Sequence, residues 1–255
     1  MDRLPPGTIE AFGLYAVRTS AVVIASPILG TATGFSGYKL ALIVSTSLAL
    51  YAAVGAPLGT SPVPVEFACL ALREVMIGLF LAFTLQAALV AVRVGGELVG
   101  HEMGFGIATL VDPNTGVQSG VITQLYEVFF LLGLLAVDGH HLLLRALAES
   151  FERAPVGSLD LGRDLVWNAQ LLLSQTFAAG LSFAAPVVAL LAVVSLVVAL
   201  LARAVPQLNV MELGFTARIA VGLLAMLAFA PLLAPALEWL YVGFADGLES
   251  VLELL

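Results

Sequence analysis

Hydrophobic and polar positions along the chain alternate on a coarse scale, leaving six long apolar runs: Phe12–Leu29, Leu40–Val54, Val65–Val92, Val121–Val137, Leu171–Ala202 and Leu213–Phe244. A helix needs about 20 mostly apolar residues to cross a bilayer, so each run predicts a membrane-type helix. The last two are each 32 residues long, and they must tilt, kink or rise out of the membrane. Each carries its own kink-maker, Pro186 in the fifth run and Pro231 and Pro235 in the sixth. Pro186 precedes Pro206 by 20 residues and Pro231 follows Asn209 by 22, so in a hairpin turning at Pro206, Gln207 and Asn209 the bends share a depth. The pattern predicts an all-α, polytopic membrane-type fold of about six long helices, several kinked, ending in a long helical hairpin.

The polar break with the most chemistry is Arg93–Gln118, which holds six glycines together with Arg93, Glu97, His101, Glu102 and Asp112. Unpaired amides and charges in hydrocarbon cost several kcal/mol each, so such a stretch belongs where protein covers it or where it lines a watery path. Gly96, Gly100 and Gly104 recur every fourth residue, leaving one helix face as bare backbone on which another helix can lie. Arg93, Glu97 and His101 share a neighbouring face at the same spacing, suited to a local ion pair and a hydrogen-bond relay. Beyond Gly104 the helical pattern weakens, and Asp112-Pro113-Asn114-Thr115-Gly116 is dense in turn residues. Phe105, Ile107, Leu110 and Val111 therefore sit on a greasy bend, with Gly106 to let it flex and Asp112-Pro113 to restrain one end. An apolar loop entering a helix bundle is a candidate channel plug.

Between the fourth and fifth runs lies the one long polar region, Asp138–Asn168. Leu143, Leu144, Leu147 and Phe151 line one face of a short helix, while Arg145, Glu149 and Arg153 follow one another on another face. Pro155 and Gly157 end it. An amphipathic helix at the membrane interface or against a partner has this pattern.

Composition sharpens the class. Hydrophobic residues make up 60% and charged residues 11%, and the mean hydropathy is +1.05, which places the chain among polytopic membrane proteins. A formal charge of −8 argues against nucleic acid as a partner, since phosphate binding wants a basic surface. The single cysteine, Cys69, leaves no internal disulfide framework. Met1–Glu10 lacks a basic region ahead of a cleavable signal, so the first run is expected to stay as a helix. Lys and Arg are nearly balanced between alternate links, which leaves orientation open.

Arg18, Arg73, Glu74, Glu127 and Arg218 fall in or beside the apolar runs, where charged residues face a bundle interior and pair. Arg73, Glu74, Arg93, Glu97 and His101 are the expected buried charges. Successive helical positions diverge by about 100°, so Arg73 and Glu74 are expected to engage different helices. HEMGF is not a His-Glu-x-x-His site, and adjacent His140 and His141 diverge on a regular helix, so neither metal nor cofactor is expected. With no phosphate-cradling glycine loop and no Gly-x-Ser-x-Gly elbow, the chain does not read as an enzyme.

GELVGHEMGFGIATLVDPNTG, then VDGHHLLLRAL, then RAVPQLNVMELGF resemble in order the hallmark segments of the flagellar biosynthesis protein R family (FliR), export-gate subunits of type III secretion. His101-Glu102 adds charge where that family's pattern is less polar. The resemblance covers nearly the whole chain. It implies a non-enzymatic inner-membrane subunit of the flagellar basal body that joins P- and Q-family proteins around an export channel. It further implies a P-type half with the plug-like loop over residues 1–168 and a Q-type hairpin over 169–255. The B-family switch protein would dock where Gln207 and Asn209 face the cytoplasmic mouth, and exported polypeptides would pass the plug. The competing class is an ion-coupled transporter whose charged Arg93–Asp112 stretch is a broken helix at a binding site. That class favours an inverted repeat, and the chain has none.

Overall fold

The computed structural model describes residues 5–27, 37–105, 120–157, 165–205 and 210–253. Among these the chain forms seven helices: α1 (Thr8–Ala25), α2 (Gly37–Val54), α3 (Pro64–Glu102), α4 (Val121–Ala136), α5 (Gly139–Arg153), α6 (Leu165–Ala204) and α7 (Val210–Glu253). They correspond to the six apolar runs and the short amphipathic segment. Four of them contain stretches long and apolar enough to cross a membrane, or five spans if α4 and α5 act as one broken crossing.

Helix α3 runs 39 residues from Pro64 at its first turn. Proline is tolerated there because the first amides of a helix have no intrahelical partner. Nothing in its sequence breaks the helix until Gly104. There the chain takes the left-handed φ of +91°, Gly104 N donates to His101 O and Phe105 N donates to Gly100 O, both at 3.0 Å. This crossed pair of bonds is the glycine-terminated C-cap that satisfies the last carbonyls of a helix. It stops α3 just before the segment predicted as the plug.

The chain separates into two compact units that interleave along the sequence. One comprises Met1–Ala87, Leu135–Leu173 and Gly243–Leu255; the other comprises Ala88–Leu134 and Ser174–Val242. In the first, α1 packs along α2, and the core gathers Leu14, Val22, Ile77, Leu81, Leu143, Leu147 and Phe151. Helix α2 buries only Lys39, Ile43 and Ser47, a single four-residue stripe, and leaves its other faces bare. In the second unit the core includes Val92, Val99, Met103, Ile122, Tyr126, Phe130 and Leu191.

Candidate functional site

Three groupings carry the polar chemistry, two in the first unit and one in the second. In the first unit Arg18 is fully buried, and each of its five guanidinium donors faces an acceptor. Nε donates to Glu74 Oε2 at 2.6 Å, and Nη2 lies 2.6 Å from the same oxygen and donates to Ala154 O at 2.9 Å. Nη1 donates to Ser150 O at 2.7 Å and to Ser150 Oγ at 3.1 Å, while the Ser150 hydroxyl donates onward to Leu147 O. The guanidinium also lies 4.1 Å over the Phe151 ring, which stacks at 4.1 Å on Tyr15. Arg73 Nη1 donates to Glu74 Oε1 at 3.0 Å and to Pro155 O at 3.3 Å.

Two cations thus meet one carboxylate, and the carbonyls at the C-terminal end of α5 supply the remaining negative potential, as a helix dipole does. Glu74 bonds to Arg18 of α1 and Arg73 to Pro155 O just beyond α5, so the two engage different elements as expected, but they also bond to each other. Both lie in one cluster, because a long arginine side chain folds back across its own turn to reach the neighbouring carboxylate. Sequence reasoning also missed why α1 comes so close: a Cβ at Gly78 would lie 2.7 Å from Arg18 O and from Ala21 Cβ. A lone glycine in a long apolar helix gives no local signal of this.

In the second unit the three glycines before the predicted plug do different work. A Cβ on Gly96 would stand 2.7 Å from the Cα of Thr123, so here α4 lies against bare α3 backbone. At Gly100 the nearest atom, Ile122 Cβ, is an ordinary 3.6 Å away. Gly104 ends the helix, and a Cβ there would stand 2.9 Å from the Phe215 ring of α7. Met103 is fully buried, and its side chain fills the space that a Cβ at Gly222 of α7 would need.

Arg93, Glu97 and His101, expected as buried charges, are exposed on this chain. Their predicted local pair gives way to bonds across to α4. Arg93 Nε donates to Glu127 Oε1 at 2.6 Å, and Thr123 Oγ1 donates to Glu97 Oε1 at 3.3 Å. The close approach at Gly96 brings α4 near enough to outcompete the same-helix partner. Phe105 is the one expected plug residue among those described, and it is half-buried. Gly106, Ile107, Leu110, Val111, Asp112 and Pro113, and the turn residues Pro206, Gln207 and Asn209, lie outside the described residues.

A third grouping forms at the start of α5. Asp138 adopts a left-handed φ of +57°, the one non-glycine positive φ among the described residues, and makes no side-chain cap bond. Its carboxylate Oδ1 lies 3.2 Å from His141 Nδ1, and donor atoms of Asp138, His140 and His141 all fall within 4.8 Å of one another.

Residues 9–241 match the family model described as bacterial export proteins, family 1. The chain is 35% identical over 241 residues to the flagellar biosynthetic protein FliR of Escherichia coli K12, covering 92% of this chain and 90% of that protein. It is 30% identical over 220 residues to the Bacillus subtilis 168 protein of the same name, covering 85% of each. The Caulobacter vibrioides namesake is 23% identical over 244 residues, covering 94% of each.

Proposed function

The chain belongs to the bacterial export proteins, family 1, and from that premise we propose that it forms and plugs the channel of the flagellar protein export gate. It is a component of the flagellar export apparatus and a membrane-type helical protein. In this reading residues 1–168 act as a P-type half and residues 169–255 as a Q-type hairpin. P- and Q-family proteins surround them in the bacterial inner membrane, and the B-family switch protein sits at the turn carrying Gln207 and Asn209. The chain contributes walls and a barrier; no catalytic step is assigned to it.

The observation that carries the plug reading is the locked end of α3. A glycine C-cap halts the helix at Gly104, and Met103 and Gly104 are pressed against Gly222 and Phe215 of α7. The segment that follows therefore leaves from a fixed base, as a barrier that must block ions at rest requires. Apolar side chains close a constriction by excluding water from it, and Phe105, Ile107, Leu110 and Val111 supply that surface. Deletion of Ile107–Thr115 is expected to leave the complex assembled while the membrane leaks ions. Conductance of reconstituted complexes, matched for protein amount, checks this; equal and tight closure with and without the deletion removes the plug assignment.

A further inference from the structure

We propose that Asp138, His140 and His141 form a divalent transition-metal site of Zn2+ type at the turn entering α5. The helical divergence of adjacent histidines does not decide the geometry here, because these residues sit at a turn and a helix start. The His140 and His141 rings lie 4.0 Å apart at 38°, and the left-handed Asp138 swings its carboxylate to 3.2 Å from His141 Nδ1. Three ligands about 2.0–2.1 Å from a tetrahedral zinc stand about 3.3 Å from one another. The Asp138–His141 pair already has that spacing, and side-chain rotation brings the third donor in from within 4.8 Å.

One feature points to a missing ligand. His140 Nδ1 is shielded from water with no hydrogen-bond partner among the described residues, and a buried polar atom of that kind calls for one. The positive end of the α5 dipole opposes a cation, and the Asp138 carboxylate offsets that field. Two imidazoles and one carboxylate suit a borderline first-row ion and leave positions open for water. Bound there, the ion staples the loop at Asp138 to the first turn of α5.

The test uses the full chain in its assembled complex, purified through a tag without histidine, dialysed against Zn2+ and then against buffer, with metal measured by atomic absorption. The expected result is one retained equivalent per chain above the matched complex carrying Asp138→Asn and His141→Ala. Changing a group that only orients a metal's ligands weakens sites by about 10–100-fold, so removing a ligand is expected to cost at least ten-fold in a competition titration. His101 is the one other histidine, and His101→Ala is expected to keep the equivalent. Should the ligand variants fail to assemble, Co2+ added to the wild-type and His101→Ala complexes reports on the same site. Visible bands of nitrogen-ligated Co2+, abolished by Zn2+, are expected in both. No retained zinc in the wild type, equal retention in wild type and ligand variants, or loss of the Co2+ bands with His101→Ala each overturns the proposal.

Discussion

At the scale of single residues, the Arg18–Glu74–Arg73 cluster is where one change does most damage. Removing one partner of a buried pair leaves the other charge desolvated, typically at a cost of about 3–5 kcal/mol. Glu74→Ala strands two buried arginines and is expected to fall in that range, visible as a several-fold drop in membrane-inserted protein. Arg18→Lys keeps the charge but loses the planar fork that reaches Glu74, Ser150 and Ala154 together, and is expected to fail as well. Arg153→Ala breaks a bond to Glu149 that is exposed and four residues away, worth about 0.3–0.5 kcal/mol, and is expected to leave protein levels unchanged. Immunoblots of membranes at matched transcript levels separate the three. The sequence already marked these charges, since ionised groups inside apolar runs need partners. It could not supply the partners. Ser150 lies 132 residues from Arg18, and no local periodicity encodes a contact of that separation.

At the scale of elements, the glycine series before the proposed plug separates close packing from spacing. Four-residue recurrence made Gly96, Gly100 and Gly104 look alike, and the stop at Gly104 was legible because turn residues follow it. What distinguishes Gly96 from Gly100 is the path of α4, a tertiary fact. At Gly96 a new methyl meets Thr123 backbone, so Gly96→Ala must push α4 away and is expected to destabilise by about 1–3 kcal/mol. At Gly100 the same methyl makes an ordinary contact and gains helix propensity of up to about 1 kcal/mol, so Gly100→Ala is expected to be neutral or stabilising. The thermal aggregation temperatures of the two purified variant complexes should therefore move in opposite directions or only Gly96→Ala should move. A matching loss in both would mean the whole face is equally tight. Helix α5 was legible for a different reason. Its buried Leu143, Leu147 and Phe151 and its exposed Arg145 and Arg153 keep the 3.6-residue period.

At the scale of the whole molecule, the helices differ in how much of their surface the chain itself covers. The most apolar window of α3 is 61% buried, whereas Ala184–Ala204 of α6 is 22% buried. Leu196 is 60% exposed, Leu224 65% and Leu227 74%, so α6 and α7 present long apolar faces to lipid or to other chains. Lipid alone does not satisfy everything on them: Arg218 Nε in α7 is shielded from water and has no hydrogen-bond partner among the described residues. The first unit is in the opposite condition, since its buried arginines and carboxylate are bonded to one another and to α5. Segments with few internal contacts open first, and cooperative units open at different free energies. In detergent without partner proteins, the chain is therefore expected to run as several species on size exclusion. Limited proteolysis is expected to cut within residues 174–242 while a fragment from α1 to α5 persists. On the proposed reading, co-expression with the P- and Q-family proteins is expected to protect both regions equally, through helix packing that covers α6 and α7. A monodisperse monomer resisting protease uniformly along its length would instead mean that the chain is self-sufficient, and the export-gate subunit reading would lose its strongest physical support.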